Sequence, residues 1–433
     1  MYWEQDIETM PIAALQALQT QRLQQVVRRA ATSQYYRTFF ERHGVEIESL
    51  YSLDDVKHFP FTTKQDLRDG YPYEFLTVER DDIVRLHSSS GTTGQATAIF
   101  HTRNDIHDWA NLMARCMYMA GARKSDVFQN MTGYGMFTGG LGFHYGAELL
   151  GALTLPTGSG NSKRQIHFMQ DFHTSLLHII PSYALHLLSV FNEVGIDPVN
   201  DLHLRIAFLG AEPHTNYTRQ RIEEAFGVKA FNSYGLSEMY GPGVAFECPE
   251  QHGMHIWEDR FLVEIVHPQT LQPVPDGEEG ELVLTTLTRE AMPLIRYRTR
   301  DLTTILTEPC PCGRTHKRIA RIKGRTDDMF IVKGVNVFPM QVEKVLMSIP
   351  EVGTNYQVEL DTVEEMDTMT VKVEVYNEIF LGDVKGLKAL QQTITAALKG
   401  EVLFTPKVSL VEPGSIPKSP GKAIRVIDHR KTH

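Results

Sequence analysis

The chain has 433 residues, of which 42% are hydrophobic and 22% are charged, a composition typical of a globular protein with two or three domains. Its formal net charge of −10 disfavours a nucleic-acid partner, because binding to a phosphate backbone needs a basic surface. There is no run of about 18 apolar residues, and acids occur among the first residues, so we expect no membrane span, no signal peptide and a cytoplasmic location.

The first half of the chain is predicted to alternate between helices and strands. The spacing of leucine and valine predicts helix within residues 1–45, and a further helix is predicted over 104–119. The strands and helices that follow are predicted at 127–131, 140–150, 152–156, 165–172, 178–180, 183–194 and 204–209. This alternation is typical of an α/β fold with a largely parallel sheet. Ligands of such sheets bind beyond the carboxyl ends of strands, so the segments after Leu209 and Asn232 are candidate sites.

Helices become rarer from about residue 260. Strands predicted at 261–266, 280–287 and 302–306 indicate a small β subdomain. Beyond Gly324, strands are predicted at 329–332, 369–376 and 407–411 and helices at 339–349 and 386–398. The last hundred residues or so would therefore fold as a small α+β domain.

A loop rich in hydroxyl groups and glycine runs Ser88-Ser89-Ser90-Gly91-Thr92-Thr93-Gly94, between predicted strands at 83–87 and 98–100. Glycine allows a ligand to approach the backbone closely, and successive N–H groups with nearby hydroxyls can bind phosphate. The loop is not the common P-loop, because no Gly-Lys-Ser/Thr closes it and no helix obviously follows. Taken alone, it could equally be an ordinary surface turn.

Three later segments contain residue types that suit nucleotide chemistry, although each alone also fits a solvated surface. Tyr234 follows a strand, where an aromatic ring can stack on a base, and nearby Glu238 can bind Mg²⁺. Asp301 ends a basic, aromatic run and can accept two ribose hydroxyls. Lys422 lies on a short Pro/Gly loop, where its ammonium can neutralise charge that develops on phosphate and carboxylate oxygens.

In their order along the chain, these motifs resemble those of the adenylate-forming superfamily of acyl-CoA synthetases. The motifs are the hydroxyl/glycine loop, Tyr-Gly-x-Ser-Glu from Tyr234, Tyr-Arg-Thr-x-Asp from Tyr297, Gly-Arg-x-Asp-Asp from Gly324 and Pro-Gly-Lys ending at Lys422. Segments 134–142, 241–248 and 327–339 are similar to phenylacetate–CoA ligases in particular, and the likeness covers essentially the whole chain. It implies an α/β adenylate-forming domain over 1–324, with αβαβα-type layers and the β subdomain, and a mobile α+β lid domain over 325–433.

The resemblance implies that the chain ligates an aryl acid, with phenylacetate as the first choice, to coenzyme A. The carboxylate attacks the α-phosphate of ATP to give an acyl-adenylate and pyrophosphate, and the thiol of CoA then displaces AMP. ATP, Mg²⁺ and CoA are the implied cofactors, and a homodimer is implied. Two alternatives stay open: an enzyme that loads its acid onto a carrier protein's phosphopantetheine thiol, and a non-enzymatic ATP-binding protein. Lys422 and Glu238 argue against the second.

The resemblance also assigns the nucleotide-binding residues. The β- and γ-phosphates would be held by Ser89, Ser90, Gly91, Thr92, Thr93 and Gly94. The adenine would be framed by Gly210, Ala211, Glu212, Ser233 and Tyr234. Asp301 would accept the ribose hydroxyls with Arg325 nearby, Glu238 would bind Mg²⁺, and Lys422 would be the adenylation lysine. Gly94-Gln95-Ala96-Thr97 replaces the usual Gly-x-Pro-Lys, so Thr97 and the hydroxyl loop must suffice without that lysine.

The remaining implied residues concern the acid, CoA and domain movement. The aryl pocket would be lined by Tyr134, Phe137, Gly140, Gly235 and Pro242. Gly139 and Gly140 would leave room for the ring, and core packing explains Phe137 equally well. Asp327 would be the hinge, and Lys333 and Gly334 would face the active site during thiol transfer.

The four cysteines are too few for a secreted disulfide framework. Cys310 and Cys312 form a tight C-x-C knuckle, and Cys248 lies seven residues before His255. A Cys/His/Cys/Cys set suits a tetrahedral structural zinc ion, with His252 as the alternative to His255 and two reduced loop thiols as the alternative to a metal. Cys116 is predicted to lie in a helix and in the core.

Overall fold

The structure is a computed structural model that describes residues 1–89, 96–363, 366–380, 384–417 and 424–430. Five residues of the predicted phosphate loop, Ser90, Gly91, Thr92, Thr93 and Gly94, lie outside the described residues. The predicted adenylation lysine, Lys422, also lies outside them. In the part of the chain that is described, no helix is long and apolar enough to span a membrane.

The helices occur in both the N-terminal and the C-terminal parts of the chain. They are α1 (Gln5–Glu8), α2 (Ile12–Ala30), α3 (Gln34–His43), α4 (Lys64–Asp69), α5 (Arg103–Met119), α6 (Thr138–Leu150), α7 (Ser162–Asp171), α8 (Pro181–Val194), α9 (Pro198–Asp201), α10 (Asn216–Phe226), α11 (Pro339–Met347), α12 (Asn377–Phe380) and α13 (Val384–Val402).

The strands are shorter on average and are concentrated after residue 200. They are β1 (Ile83–Ser89), β2 (Thr97–Thr102), β3 (Val127–Asn130), β4 (Leu153–Leu155), β5 (Leu176–Ile179), β6 (Ile206–Leu209), β7 (Lys229–Leu236), β8 (Gly241–Glu247), β9 (Met254–Ile256), β10 (Phe261–Val266), β11 (Glu279–Thr286), β12 (Tyr297–Leu306), β13 (Arg318–Ile319), β14 (Gly324–Arg325), β15 (Phe330–Val332), β16 (Val335–Val337), β17 (Val352–Val363), β18 (Met366–Val375), β19 (Lys407–Val411) and β20 (Val426–Asp428).

The largest sheet has a parallel part and an antiparallel part. Its strand order is β10-β11-β12-β13-β9-β8-β7-β6-β5-β3-β4, with β14 paired to β12. The strands from β7 to β4 are parallel, as the alternation of helices and strands predicted. Strands of the predicted β subdomain are joined to them by hydrogen bonds through β8, β9 and β13. The α/β fold class is confirmed.

Local signals in the sequence explain where the helices around this sheet begin and end. α5 begins with a capping box, in which Asp105 N donates to Thr102 Oγ1 (3.1 Å) and Thr102 N donates to Asp105 Oδ2 (3.0 Å). α8 has Pro181 in its first turn and ends at Gly195, which has a φ of 70°. Each device satisfies or removes an unpaired backbone group at a helix end.

The C-terminal part contains a four-stranded sheet with the order β19-β18-β17-β20. The central pair, β17 and β18, is antiparallel, whereas β19 and β20 are added in parallel at the two edges. One apolar cluster is shared between the two parts of the chain, since it joins residues of α8 and α10 to residues of α11 and β17. The smaller part is therefore packed against the larger one.

Candidate active site

The segment after β6 lies at the carboxyl edge of the parallel strands, as predicted. A Cβ on Gly210 would lie 3.1 Å from the carbonyl oxygen of Ser233, so the glycine allows the ends of β6 and β7 to approach closely. Ala211 has a φ of 68°, and the next residue, Glu212, turns towards α8. Its carboxylate accepts hydrogen bonds from Ser182 N (3.1 Å) and Ser182 Oγ (2.9 Å). The predicted adenine frame is thus tied to the first turn of α8.

The predicted ribose residues are brought together by strand pairing. Tyr234 OH donates a hydrogen bond of 2.5 Å to Asp301 Oδ2, and Arg325 Nη1 lies 3.5 Å from Asp301 Oδ1. Asp301 on β12 is directly opposite Arg325 on β14. Burial raises the pKa of the Asp301 carboxyl to about 6, although Arg325 and Tyr234 both act to lower it. A buried carboxylate with two partners is therefore available at this edge of the sheet.

Glu238 lies in the short turn that follows β7, Ser237–Met239, and its side chain is buried. Tyr297 OH donates a hydrogen bond to its carboxylate, and Lys64 Nζ lies 3.6 Å from Oε1. Mg²⁺ prefers oxygen ligands, so this buried carboxylate suits the ion.

Lys64 is the residue at this site that the sequence analysis missed. It is the first residue of α4, which begins with a capping box between Thr63 and Asp66. That capping box was a readable signal for the helix start. Nothing in the sequence placed Lys64 beside a glutamate 174 positions later, because only the folded chain brings them together.

The described start of the phosphate loop is a β-hairpin. β1 and β2 pair antiparallel, with Ser89 opposite Thr97 at the end that bears the loop. Thr97 is 1% exposed, so its side chain is enclosed by protein. Ser88 N donates to Met136 O (3.1 Å), and His87 Nδ1 lies 3.1 Å from the same oxygen. The predicted aryl-pocket segment therefore lies against the strand that leads into the phosphate loop.

The aryl-pocket residues differ in how they are held. Tyr134 OH accepts a hydrogen bond from Asn130 Nδ2 (2.8 Å), and burial raises the pKa of Tyr134 to about 12. Phe137 is 53% exposed, so the core-packing explanation for it is wrong. Its position just before α6 leaves its ring at the surface of the site.

Glycines in this region serve two different purposes. A Cβ on Gly140 would lie 2.5 Å from the carbonyl oxygen of Gly133, so the expectation that Gly140 leaves room for a ring is wrong. A Cβ on Gly235 would lie 1.8 Å from the carbonyl oxygen of Gly241, where β7 and β8 form an irregular pair next to Pro242. Gly139, in contrast, has open space around its Cβ position. Gly140 and Gly235 allow backbones to meet, and Gly139 alone of these three leaves space.

Cys248, His255, Cys310 and Cys312 are brought together with their ligand atoms within 4.8 Å of one another. Cys248 Sγ lies 3.6 Å from Cys310 Sγ, and Cys312 Sγ lies 3.2 Å from His255 Nε2. Zinc bonds of about 2.0–2.3 Å in a tetrahedron place ligand atoms about 3.3–3.8 Å apart, so the group fits zinc. Hydrogen bonding from Cys248 and the nearby His255 ring hold the pKa of the Cys312 thiol well below its usual range.

The histidine in this group is held for metal binding. Nδ1 of His255 lies 3.2 Å from the carbonyl oxygen of His316, which accepts a hydrogen bond from the Nδ1–H group and leaves Nε2 directed at Cys312. His252 lies outside the group, and its Nδ1 is 3.2 Å from Arg318 Nη1. Cys116 is fully buried in α5, as predicted.

The predicted hinge and CoA-side residues lie in the C-terminal part. Arg325 holds Asp327 through two hydrogen bonds, Nε to Oδ1 (2.9 Å) and Nη2 to Oδ2 (2.8 Å). Lys333 and Gly334 form the exposed tip of the β15–β16 hairpin, with φ values of 51° and 77°. In this arrangement, the hairpin tip is directed towards solvent.

Comparison with known proteins identifies relatives over the whole chain. A family model described as AMP-binding enzyme matches residues 13–287, and one described as AMP-binding enzyme C-terminal domain matches residues 334–430. The chain is 45% identical to a phenylacetate–coenzyme A ligase of Thermus thermophilus, over all of both chains. It is 44% identical to the ligase of the same name from Escherichia coli, over 98% of this chain and 97% of the other.

Solved structures of one ligase in different states also resemble this structure. A 2-hydroxyisobutyryl-CoA ligase in the postadenylation state, in complex with 2-HIB-AMP, gives a TM-score of 0.93 at 30% identity, covering 99% of this chain and 92% of the other. The same ligase with CoA in the thioesterification state gives 0.73 at 31% identity, covering 99% and 93%.

Proposed function

The chain belongs to the AMP-binding enzymes and, among them, to the phenylacetate–coenzyme A ligases, and we propose that it ligates phenylacetate to coenzyme A. The reaction consumes ATP, the acid and CoA and gives phenylacetyl-CoA, AMP and pyrophosphate through an acyl-adenylate. One observation carries this proposal: four curated ligases of that name are 42–45% identical to the chain over nearly its full length. Loading of a carrier protein is not favoured, because all four are named for coenzyme A.

The contacts of Asp301 and Glu238 support a proposed ATP site. Asp301 accepts the ribose hydroxyls in its ionised form, and the hydrogen bond from Tyr234 fixes its orientation. Glu238 would hold Mg²⁺, which would supply positive charge against the phosphates. Lys64 adds an ammonium group at the same place, and this charge compensates for the lysine that is absent from the phosphate loop.

Attack of the phenylacetate carboxylate on the α-phosphate brings two anions together. The acid is already ionised at neutral pH, so the residues position it and screen charge, and no general base is required. Lys422 neutralises the charge that develops on the reacting oxygens. The acid's ring lies beside Tyr134 and Phe137, where an aromatic wall favours a flat ring.

The described arrangement corresponds to the adenylate-forming half of the cycle. Its similarity to the postadenylation state of the solved ligase, with a TM-score of 0.93, exceeds its similarity to the thioesterification state at 0.73. The domain boundary lies at residues 324 and 325, with Asp327 as the hinge. The exposed tip at Lys333 and Gly334 then turns towards the active site for thiol transfer.

We infer that Cys248, His255, Cys310 and Cys312 would hold a structural zinc ion. The distances within this group and the orientation of His255 support the proposal. Zinc in such a closed set of four ligands braces the fold and takes no part in the reaction. A homodimer and a cytoplasmic location stay predictions.

Release of pyrophosphate tests the proposed function. We expect phenylacetate-dependent release of pyrophosphate under both conditions. Without CoA the release should stop after about one turnover, and with CoA it should continue. Release without CoA that becomes continuous only when a phosphopantetheinylated carrier protein is added would favour carrier loading. No release with any aryl acid would contradict an adenylating enzyme.

A further inference from the structure

A carboxylate from the C-terminal part of the chain lies on the first turn of a helix in the larger part. Glu343 belongs to α11, whereas Thr215 and Thr218 are the N-cap and third residue of α10. Thr218 Oγ1 donates a hydrogen bond of 2.9 Å to Glu343 Oε1, and Thr215 N donates one of 3.3 Å to the same atom. Glu343 is 8% exposed, so its carboxylate is buried at the contact between the two parts.

This contact forms only when the C-terminal part is docked against the larger part. The first N–H groups of a helix have no partner within the helix, and they attract negative charge. Burial raises the pKa of Glu343, whereas Arg425 and the hydrogen bonds from Thr218 and Thr215 lower it, so these groups favour the ionised carboxylate. Tyr356 OH, from its own part of the chain, contributes a hydrogen bond of 3.4 Å. The donors from α10 are lost as soon as α11 moves away.

Neighbouring contacts also join the two parts of the chain. Arg221 Nη2 on α10 donates a hydrogen bond of 2.5 Å to Tyr376 OH, which follows β18. A small cavity of about 70 Å³ is lined by both Glu343 and Glu212, together with Ser182. The contact therefore lies close to the predicted adenine frame.

We propose that Glu343, Thr215 and Thr218 form a latch that holds the C-terminal part in the adenylate-forming arrangement. Glu343 is then a positioning residue for the first half-reaction, since it helps to hold the C-terminal part docked beside the predicted adenine frame. The proposal rests on the proposed function, because it assumes two half-reactions with different arrangements. The latch must open before thiol transfer, so weakening it harms the first step and spares the second.

The test separates the two half-reactions in Glu343→Gln and Thr218→Val, each of which keeps the side chain's shape. Adenylation is followed as phenylacetate-dependent exchange of labelled pyrophosphate into ATP, and thiol transfer as thioester formation from synthetic phenylacetyl-adenylate and CoA. We expect exchange to fall about tenfold in each variant and thioester formation to be unchanged or faster. Glu351→Gln, which changes an exposed glutamate, is the matched control and should behave as the wild type.

A double variant tests whether the two side chains act through one contact. Glu343→Gln with Thr218→Val should lose little more exchange than either single variant, because both weaken the same contact, the first by removing the negative charge of the acceptor and the second by removing the hydroxyl donor. The latch would be overturned by an equal loss of rate in both half-reactions, by unchanged pyrophosphate exchange in the single variants, or by additive losses of pyrophosphate exchange in the double variant.

Hydrogen exchange of backbone amides gives a readout that needs no activity. Amides in the first turn of α10 should exchange faster in Glu343→Gln than in wild type or Glu351→Gln, since a neutral amide oxygen is a weaker acceptor for this turn than the carboxylate and the contact opens more often. Unchanged hydrogen exchange of these amides would overturn the latch. If the wild-type chain exchanges no pyrophosphate with any aryl acid, the proposed function fails, and the amide measurement still decides whether the contact exists.

Discussion

At the scale of single residues, Arg325 contacts both the proposed ribose acceptor and the proposed hinge. One side of its guanidinium lies by Asp301, the proposed ribose acceptor, and the other holds Asp327, the proposed hinge. Asp301 and Asp327 raise the pKa of Arg325, so it stays charged. A single cation therefore links the nucleotide site to the segment about which the C-terminal part is proposed to turn.

Lys64→Met tests the lysine beside Glu238. We expect adenylation to slow by about tenfold or more, because a cation next to the phosphates is lost. Pyrophosphate exchange measures this step. Lys57→Met, which changes an exposed lysine nearby, is the control, and equal losses in the two variants would contradict a role for Lys64 at the site.

Asp301 should make ATP binding depend on pH. Its pKa of about 6 means that the carboxyl is ionised at about pH 7 and mostly protonated at about pH 5. An ionised carboxylate accepts both ribose hydroxyls, so the KM for ATP should rise severalfold as the pH falls through 6. Asp301→Asn should have a high KM that no longer changes over this range, and a variant that kept the wild-type profile would show that another group titrates.

At the scale of helices and strands, the sequence predicted an element well where its apolar residues formed one clear helix face or one uninterrupted strand. The predicted strands 261–266 and 407–411 coincide with β10 and β19, and the helix predicted at 104–119 is α5 to within one residue. β17 was missed, because Asn355 and neighbouring polar residues interrupt its apolar pattern. The order of site motifs was readable, whereas the contacts of Lys64 and Glu343 were not, since tertiary packing alone creates them.

Gly235→Ala should destabilise the pair of strands at the site. Its Cβ would overlap the carbonyl oxygen of Gly241, and relief of that overlap must move β8, at a cost of about 2 kcal/mol or more. Unfolding in urea measures this cost. Gly139→Ala has open space and should be neutral or slightly stabilising within α6. Similar stability for both variants would show that β7 and β8 do not approach closely.

The cysteine group should bind zinc and hold the N-terminus. Tyr2 OH donates to the carbonyl oxygen of Cys312, and Arg314 Nε donates to Glu8, so the knuckle and the first residues are joined. Cys312→Ala should lose the zinc found by elemental analysis, lower the Tm and expose the first residues to protease. Cys116→Ala should keep the metal. Full zinc content in Cys312→Ala would contradict the assigned ligands.

At the scale of the whole molecule, one long sheet and one shared apolar cluster explain how a site of distant motifs is assembled. β6 and β7 lead into the segments proposed to bind adenine, β12 carries Asp301, and the turn after β7 carries Glu238. The smaller part docks against α8 and α10 beside that edge. Sequence alone indicated two parts and their motifs, but the docked arrangement depends on surfaces that pair only after each part has folded.

We infer that the chain activates phenylacetate as an adenylate and that Lys422 serves this step. Phenylacetate-dependent exchange of labelled pyrophosphate into ATP, measured without CoA in wild type and Lys422→Ala, tests it most directly. We predict exchange in the wild type and its abolition in Lys422→Ala, with thioester formation from synthetic phenylacetyl-adenylate retained in the variant. Absence of exchange in the wild type, or loss of both half-reactions in a folded Lys422→Ala, would contradict the account.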